Sequence, residues 1–172
     1  MDQTTRDKIL DAAERRARRG GYHGFSFRDV ADDVGVKSAS VHYHFPTKAD
    51  LAAALAQRYA ARAEEFLGDP VALGEAGAVD RLTQLFRNAL LEEDKMCLCG
   101  VFGAERDSLP EQVASATARF FTMTLDYLAR VGAPAAETLA KLEGALILAR
   151  TLRRVDLFDE AVEKPTPRSR DA

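Results

Sequence analysis

Apolar residues recur at helical spacing along nearly the whole chain. In the first twenty residues Ile9, Leu10, Ala13 and Ala17 fall on one side of a helix, which Gly20-Gly21 would end. No stretch alternates apolar and polar residues convincingly, as a half-buried strand would. The pattern therefore predicts an all-α protein.

Two short helices should follow the first helix closely. Ser26 is a good N-cap, and Asp29 three residues later completes a capping-box pair. Gly35 suits the left-handed turn that would let a third helix, over 38–45, begin almost at once, and Pro46 would stop that helix. Two short helices joined in this way predict a helix-turn-helix.

The remainder of the chain also has helical spacing. Thr47 and Asp50 should cap a long fourth helix, and the glycine- and proline-bearing segments 68–70 and 74–78 should form a connection. Further helices are expected near 79–92, near 97–106, after Pro110 and over 134–154.

A helical wheel of the third helix narrows its possible chemistry. Val41 and Phe45 fall on one side and should face the core, whereas Tyr43 points away. His42 and His44 lie about 200° apart at 100° per residue, so a regular helix cannot bring both to one metal ion. Base catalysis would also need a positioned partner and a pocket. A helix that reads nucleic acid and a plain surface helix both remain possible.

The stretch FRDVADDVGVKSASVHYHFPTKADL, residues 27–51, resembles the helix-turn-helix of the TetR family of transcriptional repressors. The resemblance covers about 45 residues when the first helix is included. The positions that match the family pattern are Val30, Ala31, Gly35, Val36, Ser40, Val41, Tyr43, His44, Phe45, Pro46, Lys48 and Leu51.

This resemblance implies a DNA-binding domain over 1–46 that binds a double-stranded, palindromic operator. Family members usually carry serine where Lys37 stands, so we expect a weaker cap there and a lysine that reaches a phosphate. The expected DNA-binding residues are Ser26, Arg28, Lys37, Ser38, Ala39, Ser40, His42, Tyr43, His44 and Lys48.

The resemblance further implies a helical ligand-binding and dimerisation domain over 47–158, in which helix 47–67 is the connecting lever. A small, apolar effector is expected among Phe66, Phe86, Met96, Cys97, Phe102, Phe120 and Phe121. The last long helix repeats small residues every four positions, and by resemblance we assign this strip to a homodimer contact made by Ala136, Ala140, Glu143, Gly144, Ile147 and Arg150. The polar segment 159–172 is expected to be a disordered tail.

Charge is distributed unevenly along the chain. The net charge is −3, yet residues 1–50 hold nine Lys and Arg against eight Asp and Glu, and residues 51–172 hold fifteen against nineteen. The four arginines at the end of the first helix, Arg15, Arg16, Arg18 and Arg19, are interpreted as a solvated face.

Cysteines and hydropathy limit the remaining classes. Cys97 and Cys99 are too close along the chain to staple a fold, and we expect buried, inert thiols in a reducing compartment. No stretch approaches the ~18 apolar residues that a membrane span needs, so a cytoplasmic protein without membrane, metal or cofactor is expected. The alternatives are a small thiol- or acid/base-dependent enzyme and an architectural DNA-binding protein without a ligand.

Overall fold

The computed structural model describes residues 4–91 and 96–163, and over these ranges it contains nine α-helices, two short 3-10 turns and no β-strand. The prediction of an all-α protein is confirmed. The helices are α1 (Thr5–Gly20), α2 (Phe27–Val34), α3 (Ser38–His44), α4 (Lys48–Leu67), α5 (Pro70–Leu91), α6 (Leu98–Ala104), α7 (Glu111–Ala129), α8 (Ala135–Leu152) and α9 (Asp156–Val162).

The first three helices form a small bundle that the long α4 joins to the rest. α1 packs against α2 and α3, and its far side packs against α4 and α6. α7 is the central helix of the second part, because it packs against α4, α5, α6 and α8. One hydrophobic core continues from Ile9 and Val41 in the first bundle to Phe102 and Phe120 in the second part.

Both predicted capping boxes are present. The Ser26 hydroxyl accepts the N–H of Asp29 at 3.2 Å while the Asp29 carboxylate accepts the N–H of Ser26 at 2.9 Å. Thr47 and Asp50 exchange the same pair of bonds at 3.1 and 2.9 Å. These boxes fix the first turns of α2 and α4, the two helices that flank the turn and α3.

One boundary prediction is confirmed in part and another is wrong. A break falls at Gly74 (φ 68°, ψ 175°), which kinks α5, but the rest of the segment expected to be a connection, 75–78, is helical. The tail was expected from residue 159, but α9 continues to Val162 around a fully buried Phe158, and Asp159 accepts two hydrogen bonds from Arg87. Residues 164–172 of that expected tail lie outside the described residues.

No helix within residues 4–91 and 96–163 is both long enough and apolar enough to cross a membrane.

Candidate nucleic-acid interface

α3 is held by two apolar anchors and one glycine turn. Val41 is 0% exposed and Phe45 3% exposed, so the inward side of this seven-residue helix is fixed in the core. Gly35 adopts the left-handed conformation (φ 75°, ψ 33°), and the N–H groups of Gly35 and Val36 close the end of α2 on the Ala31 and Asp32 carbonyls. The two helices therefore form the predicted helix-turn-helix.

The outward side of α3 is open. Tyr43 is 85% exposed, Ala39 and His42 are exposed, and Ser40 and His44 are half-buried. A helix with an anchored inner side and a free outer side is the arrangement that helix-turn-helix proteins place in the major groove.

The two histidines of α3 have different neighbours. The His42 ring meets the Phe27 ring of α2 edge-on, with centroids 4.5 Å apart. The His44 ring meets the Tyr43 ring edge-on at 5.2 Å. His42 is thus steadied by α2, and His44 supports the exposed tyrosine. Phe27 was not among the predicted DNA-binding residues.

Lys37 occupies the N-cap position of α3 without a side-chain hydrogen bond to the helix. The Ser40 N–H donates instead to the backbone carbonyl of Lys37 at 2.8 Å. The expectation of a weakened cap is confirmed, and the exposed Lys37 side chain makes no ion pair with another described residue.

At the start of α2 the two predicted contact residues differ. The Ser26 hydroxyl is occupied by the capping box, since it donates to the Asp29 carboxylate at 2.6 Å as well as accepting the Asp29 N–H. Arg28, two residues later, is exposed and has no ion-pair partner among the described residues. Arg28, unlike Ser26, therefore remains available to contact a phosphate.

Lys48, at the first turn of α4, is half-buried. Its ammonium lies 4.6 Å from the centroid of the Tyr22 ring and 4.8 Å from that of Phe25. Burial lowers the pKa of Lys48, against the opposing effect of Asp29 and Glu105. The lysine is therefore engaged by the aromatic turn after α1. Phe25 and Tyr22 were missed because their sequence positions give no sign that they approach α4.

Two carboxylates of α2, behind the outer side of α3, are engaged by neighbouring groups. Asp33 accepts hydrogen bonds from Arg16 at 2.6 and 2.8 Å, and this contact lowers the pKa of Asp33. Asp29 is held in its capping box. Arg28 and Lys37 are exposed cations near α3 without an ion-pair partner among the described residues, and Asp32 is an exposed carboxylate that likewise has none.

Arg18 contradicts the interpretation of the α1 arginines as a solvated face. It is 6% exposed, donates to the Met96 carbonyl at 2.7 Å, and lies 3.9 Å from the Glu14 carboxylate. Because the carbonyl and the carboxylate satisfy the guanidinium, its burial is tolerated. Arg16 is paired as described, so the solvated description fits Arg15 and Arg19 alone.

A second link joins the first bundle to the rest of the molecule. The Glu105 carboxylate, just after α6, accepts the Tyr22 N–H at 2.7 Å. A Cβ built on Gly21 (φ 69°) would stand 2.0 Å from that carboxylate, so this close approach requires glycine. The preceding Gly20-Gly21 pair was the available signal, since it marks a place where another group can come near the backbone.

The seven residues expected around an effector do not come together at one cavity. Phe86, Cys97, Phe102 and Phe120 are each at most 2% exposed and are packed in the hydrophobic core, against which Met96 and Phe121 lie half-buried. Phe66 alone of the seven lines the cavity of about 380 Å³ between α1, α4 and α5.

Both cysteines are buried, free thiols, as expected. Burial, with a smaller contribution from Glu143, raises the pKa of each thiol well above its ordinary value. A thiol held in this way is a poor nucleophile and a poor metal ligand at neutral pH. In the described part of the chain, no three His, Cys, Asp or Glu side chains gather in a way that could hold a metal ion.

The strip expected on α8 lies at the surface, with one exception. Ala136, Ala140 and Ile147 are exposed, and Gly144 and Arg150 are half-exposed. The partly exposed Glu143 differs, because its carboxylate points toward α6. A Cβ built on Gly100 of α6 would stand 2.5 Å from the Glu143 carboxylate, whose Oε1 is buried without a hydrogen-bond partner in the described structure.

Comparison with known proteins gives the same picture as the geometry. Residues 9–55 match the family described as bacterial regulatory proteins, tetR family. Among curated protein sequences, none matches the chain.

Three solved structures illustrate the similarity over the full chain. A TetR transcriptional regulator from Legionella pneumophila is 27% identical, with 93% of this chain and 94% of that chain covered and a TM-score of 0.85. A TetR-family regulator from Agrobacterium tumefaciens is 26% identical, with 91% and 92% covered and a TM-score of 0.74. The reduced form of E. coli NemR, 20% identical over 92% and 93%, shares the fold with a TM-score of 0.72.

The matched segment contains the whole helix-turn-helix, and the similarity to solved structures covers more than nine tenths of the chain. Residues 9–55 thus carry the helix-turn-helix of the TetR family of bacterial regulatory proteins, and the chain is similar to TetR-family regulators over most of its length.

Proposed function

We propose that the protein is a cytoplasmic transcriptional repressor that binds a palindromic operator as a homodimer and releases it when a small molecule binds. The exposed outer face of α3 carries this proposal, because Tyr43 is 85% exposed on a helix whose opposite side is fully anchored. In the major groove Ala39 would permit close approach, while Ser40, Tyr43 and His44 would offer polar groups to base edges. Arg28 and Lys37 would contact phosphates, which position the protein without specifying sequence.

In this proposal the two domains have different roles. Residues 1–46 bind DNA, residues 47–158 supply most of the residues that bind the effector and form the dimer, and α4 (Lys48–Leu67) connects the two. The half-buried Lys48 supports the connecting role, since its contact with the ring of Tyr22 ties the first turn of α4 to the DNA-binding bundle. Movement of α4 would then change the spacing of the two reading helices in a dimer. The buried, protonated thiols do not favour an enzymatic role.

The DNA-binding part is tested by selecting bound sequences from a random pool of double-stranded DNA and measuring affinity for the selected site. We expect a palindrome with half-sites one helical turn apart. Tyr43→Ala should weaken operator binding by about 1 to 3 kcal/mol, because it removes a groove contact. The control Gln57→Ala removes an exposed side chain of α4 outside the reading face. If the two variants bind equally well, or no sequence is enriched, the assignment of α3 as the reading helix fails.

Exposed apolar residues of α8 support the proposed homodimer. Ile147, Leu148 and Leu152 are 51%, 53% and 57% exposed, which is typical of a surface that another subunit covers. A Cβ at Gly144 meets no atom within 4 Å inside the chain. A larger side chain at this position therefore has room within the protomer.

We expect Gly144→Leu to dissociate the dimer, because added bulk in a close helix contact costs about 1 to 3 kcal/mol. Sedimentation velocity at several protein concentrations measures this, with circular dichroism to confirm that the protomer stays folded. Ala118→Leu, which enlarges an exposed alanine of α7, is the matched control. A wild-type protein that sediments as a monomer at micromolar concentration would contradict the proposal.

A further inference from the structure

Three helices from different parts of the fold line the cavity of about 380 Å³. α1 contributes positions 11, 14, 15 and 18, and α4 contributes 59, 62, 63 and 66, in each case two helical turns of a single face. α5 closes the third side with positions 85, 88 and 89. The cavity therefore lies where the DNA-binding bundle, the connecting helix and the second part meet, and its volume suits a small organic molecule.

Positive charge predominates around the cavity. Arg15, Arg18 and Arg62 line it together with two carboxylates, Asp11 and Glu14. A fourth arginine, Arg58, lies against both carboxylates at 2.8 and 3.0 Å. Among the described residues, the cavity and its immediate surroundings thus hold four cations and two anions.

The buried Glu14 carboxylate cannot balance this charge alone. Arg62 approaches it at 2.6 Å, Arg58 at 3.0 Å and Arg18 at 3.9 Å, and Arg58 also pairs with Asp11 at 2.8 Å, so three cations share two anions. The Nε of Arg58 is buried and has no hydrogen-bond acceptor in the described structure. Arg15 is exposed at the rim and makes no ion pair with another described residue. A negatively charged acceptor in the cavity would pair with Arg15, which lines it and has no ion-pair partner among the described residues.

The other side of the cavity is apolar. Ala63, Phe66, Leu85 and Ala89 line it, and the Tyr59 ring extends the apolar wall toward the charged side. The guanidinium carbons of Arg18 and Arg62 lie 5.8 and 6.0 Å from the Tyr59 ring centroid. A ligand that fits both sides must combine an anionic group with a planar or apolar body.

One contact relates occupancy of the cavity to DNA binding. Arg18 belongs to α1, yet it donates to the carbonyl of Met96 at 2.7 Å and approaches that of Ala89 at 3.5 Å, beyond and within α5 respectively. An anion that draws the Arg18 guanidinium toward the cavity would weaken this link between the DNA-binding bundle and the second part. A ligand can shift a conformational equilibrium only through such a difference in its contacts with the two states.

We propose that this cavity binds a small organic anion with an aromatic or apolar body, and that this anion is the effector that releases DNA. The second half of the statement rests on the proposed repressor function. The site differs from the one expected from sequence, because the aromatic side chains expected around an apolar effector fill the core instead.

Binding is tested on the full chain without DNA, by calorimetry with 2-naphthoate and with uncharged 2-naphthalenemethanol. We expect the carboxylate to bind at least about tenfold more tightly than the alcohol, a difference of about 1.4 kcal/mol. Arg15→Gln should remove most of that preference and leave binding of the alcohol unchanged. Arg19→Gln, which removes an exposed arginine one turn along α1 and outside this cavity, should leave both affinities unchanged.

Amide NMR shifts locate the bound carboxylate, and they should be largest over 11–18 and 59–66. Equal affinity for the two probes, no saturable binding of the carboxylate, equal effects of the two arginine variants, or shifts centred elsewhere would each overturn the anion site.

A separate assay distinguishes failure of the site from failure of the function. Operator binding is first measured without any probe, and a chain that selects no DNA sequence refutes the repressor proposal while the calorimetric result for the site still stands. Where operator binding is found, naphthoate should release the DNA from the wild type and not from Arg15→Gln at the same concentration. Binding of naphthoate without release would refute its role as an effector.

Discussion

Two helices of seven residues, α3 (Ser38–His44) and α6 (Leu98–Ala104), behave in opposite ways. α3 has one buried side chain, Val41, and projects Tyr43 into solvent, whereas α6 buries Leu98, Cys99 and Phe102 completely. Their surroundings explain the contrast: α3 packs mainly on α2 and α1, while α6 lies between α1, α4 and α7 and receives the Glu143 carboxylate of α8. A short helix gains little stability from its own hydrogen bonds, so its environment determines its role.

The contrast suggests that α3 presents side chains for recognition, whereas α6 connects the two parts of the molecule. α3 can exchange its outer side chains with little effect on folding, so those positions are available for recognition. α6 touches groups that belong to both parts of the molecule, including the Tyr22 turn through the adjacent Glu105. Substitutions in and around α6 should therefore affect stability, and substitutions on the outer side of α3 should affect DNA binding.

The largest expected effect comes from truncating the core of α6. Phe102→Ala should lower the free energy of unfolding by about 3 to 5 kcal/mol, because a fully buried ring is replaced by a cavity. Tyr43→Ala, the aromatic truncation on α3, should change it by less than about 0.5 kcal/mol, as is usual for exposed positions. Denaturant unfolding of the two variants at one protein concentration measures the difference. Similar losses in both would remove the distinction between the two helices.

The Glu143 carboxylate beside α6 provides the second test, in the pH dependence of stability. Burial raises the pKa of Glu143 to about 7 in the folded protein, from an ordinary value of 4.5. As pH rises from 4.5 to 7, the unfolded chain releases this proton before the folded chain does, so folding loses stability across that window. The full cost, on the order of 3 kcal/mol, is present above pH 7.

We therefore expect Glu143→Gln to resemble the wild type at pH 5 and to be more stable at pH 8. Chemical denaturation at a series of pH values measures both profiles. Glu137→Gln removes an exposed carboxylate from the same helix and controls for the change in net charge. If the unfolding free energy of the wild type changes with pH between 5 and 8 in the same way as that of Glu143→Gln, a partner compensates the buried carboxylate.

The different predictability of α3 and α6 has a physical basis. In α3 the inward positions Val41 and Phe45 and the turn at Gly35 follow from local periodicity and backbone preference, so the reading face could be predicted from the sequence. LCGVFGA in α6 is apolar on every side, so periodicity does not identify its neighbours.

Interactions between distant segments account for the features that were not predicted. Arg18 is buried because carbonyls near the end of α5 and beyond it accept its hydrogen bonds, and Glu143 turns inward because Gly100 leaves space for its carboxylate. Neither partner is visible in the sequence near the charged residue. α9 was missed for a related reason, since it depends on one buried ring, Phe158, and on the contact between Asp159 and Arg87.

The smallest expected effect concerns the N-terminus of α3. A serine at position 37 could accept a hydrogen bond from the backbone N–H groups of the first turn, which the lysine does not do. Lys37→Ser should therefore stabilise the protein by about 1 kcal/mol. It should also weaken binding to all DNA sequences alike and reduce the dependence of log affinity on log salt by about one unit, because one phosphate contact is lost. Lys37→Ala separates the two effects, since it removes the charge without adding a cap: its DNA binding should match that of Lys37→Ser, and its unfolding free energy should match that of the wild type. If the salt dependence is unchanged in both variants, Lys37 does not contact the DNA backbone. If the two variants are equally stable, the extended backbone at position 37 does not let a serine cap the helix.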